Sequence, residues 1–188
     1  MCWSADGSLA TYTLAMFLAA IHKGIGVMDP SMWALRVVYS HMQLVEYFLW
    51  KNLDVPDRNK FWSGVGLFLL AIQPIIASMM LPVALRNKFL VMYTTFVASY
   101  FLTNKVNLTT EVGGNGHLKW NWLPSLFSPW ALIWLGFVLA PIYHMGLSVH
   151  AAIITYFISA YFNDKYGTAG SYWCWFAIAG WILSFFVK

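Results

Sequence analysis

The side chains best placed to do chemistry lie on one segment, Ser31 to Trp50, which reads SMWALRVVYSHMQLVEYFLW. At about 100° per residue, Arg36, Tyr39, Gln43, Glu46 and Trp50 fall within one arc of roughly 80°. They form a polar and aromatic stripe on an otherwise apolar helix. Arg36 and Glu46 are separated by about 15 Å along the axis, too far to pair directly. Gln43 and Glu46 are i,i+3 neighbours and can share a hydrogen bond or a water. His41 points roughly 140° away from Arg36. A stripe of this kind suits the lining of a cavity in which Glu46 holds a proton or a cation. The plainer alternative has Arg36 and Glu46 snorkelling to two interfaces while Gln43 joins helices by a hydrogen bond.

Two further places carry polar groups in apolar surroundings. Around Gln73-Pro74, the residues Ser63, Gly66, Gln73 and Ala77 share one helix face. Small residues there permit close helix approach, and Gln73 can bond across it. Pro74 lacks an N–H, so a carbonyl one turn back is released as an acceptor and the helix kinks. Later, His144 and His150 are six apart, on different faces of a helix, and so do not chelate together; His150 sits among alanines. The chain has two cysteines, Cys2 and Cys174, near its ends. Seven alternating helices bring the start of the first and of the seventh to one side. The two sulfurs are therefore expected to approach, as a disulfide or as shared ligands. A thiol and an imidazole suit zinc or copper, which makes Cys2, Cys174 and His41 the candidate metal ligands. Hydrolase, phosphate-loop, CxxC and HExxH motifs are absent, so nothing designates a catalytic residue.

The elements that must position these groups follow from composition. Of 188 residues, 60% are of the types AVILMFWYC and only 10% are charged, against about 25% charged in soluble domains. A domain this small has too much surface for its volume to hide that much apolar material. An ordinary soluble enzyme, a disordered chain and a nucleic-acid binder are excluded. The net charge of +4 comes from basic residues flanking apolar runs, where they anchor to head groups. The expected fold is all-α: a single integral membrane domain over residues 1–188, multi-pass, in contact with the bilayer.

Spanning helices need about 20 apolar residues. Seven segments qualify in whole or in part: Ser8–Val27, Ser31–Trp50, Phe61–Leu81, the short Phe89–Thr103, Pro124–Ala140, Ile142–Phe162 and Gly170–Val187. The fifth and sixth share one apolar stretch that turns near Pro141; six spans result if part of it is interfacial. No strand is expected, since the apolar runs do not alternate. The connection Asn104 to Lys119, with Gly113, Gly114 and Gly116, reads as a flexible loop. It contains the glycosylation pattern Asn107-Leu108-Thr109.

The opening Met1-Cys2-Trp3-Ser4, the pattern Met42-Gln43-x-x-Glu46, Gln73-Pro74, His150-Ala151 and Trp173-Cys174 resemble a family of small polytopic membrane proteins that begin Met-Cys-Trp-Ser, a domain of unknown function. In that family the second pattern reads Met-Glu-x-x-Gln, so acid and amide are exchanged here. The resemblance implies the topology and picks out Cys2, Gln43, Glu46, Gln73, His150 and Cys174; it implies no role for them.

The function expected first is a channel or transporter for protons or a small cation. Its path runs through the polar interior, past Glu46, Gln43, Arg36, Tyr39, Gln73 and His150. The alternatives are a membrane-embedded metal- or lipid-binding protein or enzyme, or a structural component that assembles with further copies through its aromatic surface.

Overall fold

The computed structural model describes residues 4–26, 28–145 and 147–183, without the side chains of 144, 145, 147, 148, 175–180 and 183. Seven α-helices make up most of it: α1 Ala5–Ile25, α2 Pro30–Lys51, α3 Pro56–Ala77, α4 Val83–Thr103, α5 Pro129–Leu139, α6 Leu147–Asn163 and α7 Ala169–Leu183. Local chemistry sets their starts. Ser4 accepts from the Gly7 amide at the head of α1, and Asp29 accepts from the Ser31 and Met32 amides at the head of α2. Proline occupies the first turn of α2, α3 and α5, where its missing N–H costs nothing. Gly26, at φ 63°, ends α1 in the left-handed conformation that glycine adopts without strain.

Helix α2 is the hub and packs against α1, α3 and α7. Its buried residues include Met42, Val45 and Leu49, which join Leu70 of α3 and Cys174 of α7 in the main core. The face of α3 expected from the sequence is buried throughout, at Ser63, Gly66, Gln73 and Ala77. Gly66 has a packing reason: a Cβ there would stand 3.0 Å from the Trp122 ring.

Four expectations are corrected. The segment between α4 and α5 is not a featureless loop, and the fold is not free of strands. Thr110–Val112 (β1) and Leu118–Trp120 (β2) pair as an antiparallel hairpin, with Thr110 opposite Trp120. The hairpin forms because its alternate residues have a core to enter: Leu118, Trp120 and Trp122 are buried beside α2 and α3. The fourth helix is not short, since α4 begins directly after Pro82 and takes in Arg86 and Lys88. The fifth is short, because Ser128 caps it and Pro129 starts it well after Pro124. The turn near Pro141 does divide the apolar stretch, as the 3-10 segment Ala140–Met145.

Among the described residues, one helical stretch is long and apolar enough to cross a membrane, Pro56–Met80, with mean hydropathy 1.8 over an 18-residue window. It joins α3 to the 3-10 turn Ser78–Met80. The other segments expected to span fall short of that criterion. Arg36, His41, Gln43, Glu46 and Lys51 lower the hydropathy of α2, and α5 is only 11 residues long.

The hairpin is fastened at both flanks. Asn59 of α3 mimics a strand neighbour: its Nδ2 donates to the Thr110 carbonyl and its Oδ1 accepts from the Thr110 amide, both at 2.8 Å. The Thr110 hydroxyl is shared with Ser63 at 2.8 Å and with the Trp122 indole at 3.2 Å. Opposite, the Asn115 amide donates to Asn163 and Thr168 at 3.1 and 2.8 Å. The exposed pair Lys119–Glu111, at 2.7 Å, holds the Glu111 carboxyl below its ordinary range and contributes little to stability, as exposed pairs do.

Candidate functional site

The kink in α3 organises the interior. Pro74 has no N–H to offer the Leu70 carbonyl, four residues back. Trp134 of α5 supplies the missing donor: its indole Nε1 donates to the Leu70 carbonyl at 3.1 Å. One residue on, the Tyr93 hydroxyl of α4 donates to the Ala71 carbonyl at 2.6 Å. The freed acceptor expected at the Gln-Pro step is thus a docking point for α5. Of α4, only Tyr93 is buried, so this hydroxyl and its ring are the main tie of α4 to the body.

Around the tie lies a partly open cavity of about 90 Å³. Its wall is almost wholly apolar and comes from α3, α4, α5, β2 and the first turns of α7, with Leu70, Tyr93, Trp120, Trp130, Trp134 and Cys174 among the lining residues. Trp173 braces the inner side by edge-to-face contacts with Tyr39, Tyr156 and Trp134, at ring-centroid distances of 5.3, 5.2 and 6.1 Å. Gly170 lets α7 come this close: a Cβ there would stand 2.5 Å from Leu123 Cδ2 and 2.9 Å from the Trp120 ring.

Behind the cavity lies the polar stripe of α2, and the structure divides it. Gln43 and Glu46 are fully buried, while Arg36, Tyr39 and Trp50 are half-buried. Cys174 of α7 is buried as well, in the same core cluster as Met42 and Val45 of α2. Arg36 places its guanidinium over the Trp181 ring at 5.6 Å. Ser40, beside it, receives the Trp181 indole N–H at 3.0 Å. Gln73 faces the interior from α3, fully buried, and among the described residues neither its Nε2 nor its Oε1 has a hydrogen-bond partner.

Two sequence-predicted residues do not reach the stripe. His150 lies on an exposed face of α6 instead of deep among its alanines, because α6 turns Tyr156, Ser159 and Ala160 inward. His41 turns to α1, where its Nε2 meets the Tyr12 hydroxyl at 3.3 Å and its Nδ1 the Val37 carbonyl at 2.7 Å. It does not stand with Cys174. Cys2, and with it the approach of the two sulfurs, lies outside the described residues. No group of three or more His, Cys, Asp or Glu side chains able to hold a metal occurs among the described residues.

Sequence reasoning missed the aromatic donors. Trp134 and Tyr93 carried a recoverable signal, since a mid-helix proline demands a replacement donor from a neighbour. The buried His22, which lies against the Trp181 ring at 5.2 Å, gave none: at the end of α1 beside Lys23 it reads as an interfacial residue.

No family model, curated protein or solved structure matches the chain, so its function is argued from the geometry alone.

Proposed function

We propose that this chain is a multi-pass integral membrane protein that binds an apolar, lipid-like molecule in the cavity walled by α3, α4, α5 and α7. The observation that carries the reading is the cavity itself: an apolar, largely aromatic wall, partly open, on a helix held by one buried tyrosine. Apolar cavities of this kind stay dry and take up apolar guests. The membrane setting is supported by the outer surface. On α4, Leu102 is 86% and Val91 66% exposed, and Phe17, Phe61, Phe68 and Phe162 are exposed on other helices. Exposed apolar surface on this scale marks an interaction face. The 21 residues of α4 reach about 31 Å, close to the roughly 30 Å of a bilayer core. Part of the polarity of α1 and α2 points inward, at Ser8, Thr11, His22, Ser40, Gln43 and Glu46. The likeness of the opening Met-Cys-Trp-Ser to a polytopic family points the same way.

The membrane reading is tested by alkaline extraction and by spin labels at Val91→Cys and Leu102→Cys. Apolar oxygen should relax both labels more than a water-soluble nickel chelate does, and the reverse would refute the setting. The binding reading is tested with a spin-labelled alkane. It should be immobilised by the native protein and released by Ala131→Phe, which fills the cavity; equal spectra would refute it.

A second reading, passage of protons or a small cation, is favoured by one observation: Glu46 and Gln43 are completely buried on the central helix. Glu46→Gln keeps the shape and removes the charge, so flux in liposomes should fall or change selectivity while the protein still folds. Unchanged flux would defeat that reading.

A further inference from the structure

The cavity as it stands is too small for a lipid-like guest. Its enclosed volume is about 90 Å³, whereas an apolar cavity that admits benzene has ~150 Å³. A wall must give way, and the walls are unequal. Helices α3, α5 and α7 and strand β2 all place residues in the core clusters. Helix α4 buries Tyr93 alone. A segment with so little buried surface is the one that opens at low cost.

The way α4 is held agrees with this. Phe89, Tyr93, Phe96 and Tyr100 share one face of the helix. The first three meet the Phe137 ring of α5, with centroids 5.3, 5.2 and 5.4 Å apart. Phe96 and Tyr100 meet Trp130 at 5.6 and 5.4 Å. Such ring pairs are favourable at centroid distances of about 4.5–7 Å, so α4 can shift outward without losing them. The directional tie is the Tyr93 hydroxyl on the Ala71 carbonyl, at 2.6 Å. That carbonyl also has a helical donor, the Ile75 amide four residues on, and stays satisfied when the hydroxyl leaves. The backbone at both ends of α4 is extended, at Leu81 before it and Asn104 after it, and a few residues at the ends of an element suffice for a hinge. In a bilayer the movement uncovers only apolar wall, which lipid tails cover as well as a helix does.

Building on the binding reading above, we propose that α4 is the gate of the cavity. It tilts outward on its two ends as an apolar guest enters, and the Tyr93–Ala71 hydrogen bond is the latch that keeps the empty protein closed. With the guest in place α4 is displaced and the latch broken, so the latch opposes binding. The sign follows: without the hydroxyl, the open form is more populated and the guest binds more tightly.

The test measures the affinity of the full-length protein in detergent for a spin-labelled alkane, read from the immobilised fraction. Tyr93→Phe keeps the ring and removes the hydroxyl, and should bind about fivefold more tightly, the factor one net hydrogen bond makes. A lock supplies the opposite perturbation. Phe89 and Phe137 do not line the cavity, so in Phe89→Cys/Phe137→Cys a cleavable two-carbon bis-methanethiosulfonate ties α4 to α5 without filling it. The tied protein should bind about tenfold more weakly than the same protein after reduction. In the tied protein Tyr93→Phe should confer no gain, which separates a released latch from a less polar wall. The unsubstituted protein, treated alike, controls for Cys2 and Cys174. Unchanged or weaker binding in folded Tyr93→Phe overturns the inference, as does equal binding before and after reduction of the tie. If Tyr93→Phe does not fold, the tie decides alone. Failure of the native protein to immobilise the alkane removes the binding reading, and the gate with it.

Discussion

Replacing Trp134 by phenylalanine should expose what the α3 kink costs. The indole is the donor to the Leu70 carbonyl at 3.1 Å, and Pro74 cannot serve that carbonyl in its place. Leu70 is buried, so Trp134→Phe leaves an acceptor without a partner in apolar surroundings, a loss of about 1–3 kcal/mol. The size of the effect should depend on residue 74. In Pro74→Ala the helix regains its N–H and the Leu70 carbonyl its helical partner. Trp134→Phe then removes only a second bond to a carbonyl already satisfied, about 0.5–1.5 kcal/mol. The double-mutant cycle should therefore show a coupling of about 1 kcal/mol, above the roughly 0.3–0.5 kcal/mol scatter of independent sites. Reversible unfolding in detergent, followed by tryptophan fluorescence and by helical circular dichroism, measures the four corners. Additive costs would refute the reasoning and mean that the Leu70 carbonyl finds its partner elsewhere.

Other expectations are of the same kind. Asn59→Ala strips the Thr110 amide and carbonyl of their buried partners; it should cost about 1–3 kcal/mol and release amide protection across the hairpin in hydrogen exchange. Gly170→Ala forces a Cβ to 2.5 Å from Leu123 and 2.9 Å from the Trp120 ring, so thermal unfolding should register an overpacking loss of about 1–3 kcal/mol. Burial holds the His117 imidazole below its ordinary value of 6.5, favouring the neutral ring in the folded state. Its contribution is complete above that value. As pH falls from 6.5 towards the lowered value, the unfolded chain takes up a proton that the folded chain does not, and stability declines. His117→Gln should flatten the pH dependence of unfolding in that window, and an unchanged slope would exclude His117 as its source.

Much of the architecture was legible in the chain because helices are local. Apolar runs and the Pro141 turn marked seven helices in order, and the small-residue face of α3 followed from spacing alone. The burial of Gln43 and Glu46 was legible for the same reason: a helix fixes which residues share a face. Hydropathy served less well as a guide to spans, since it averages over faces. Some of the polarity of α2 lies inward, at Ser40, Gln43 and Glu46, and the outward residues of α4 carry apolar surface that few contacts cover.

Tertiary structure decided what no single segment encodes. The hairpin at Thr110–Trp120 exists because Asn59 and Ser63, some 50 residues earlier in the chain, meet the Thr110 backbone and hydroxyl, and a three-residue strand pair has too little of its own to be read from propensity. The turning of His41 toward Tyr12 and the exposed place of His150 depend on which neighbour each helix face meets. So does the cavity, which is a gap between five elements brought together by a proline-freed carbonyl, a tyrosine hydroxyl and a glycine. Composition and periodicity determined the helices and the inward amide and acid, because those follow from backbone geometry along one segment. The aromatic pocket arose only on packing, because a void is a property of what surrounds a residue.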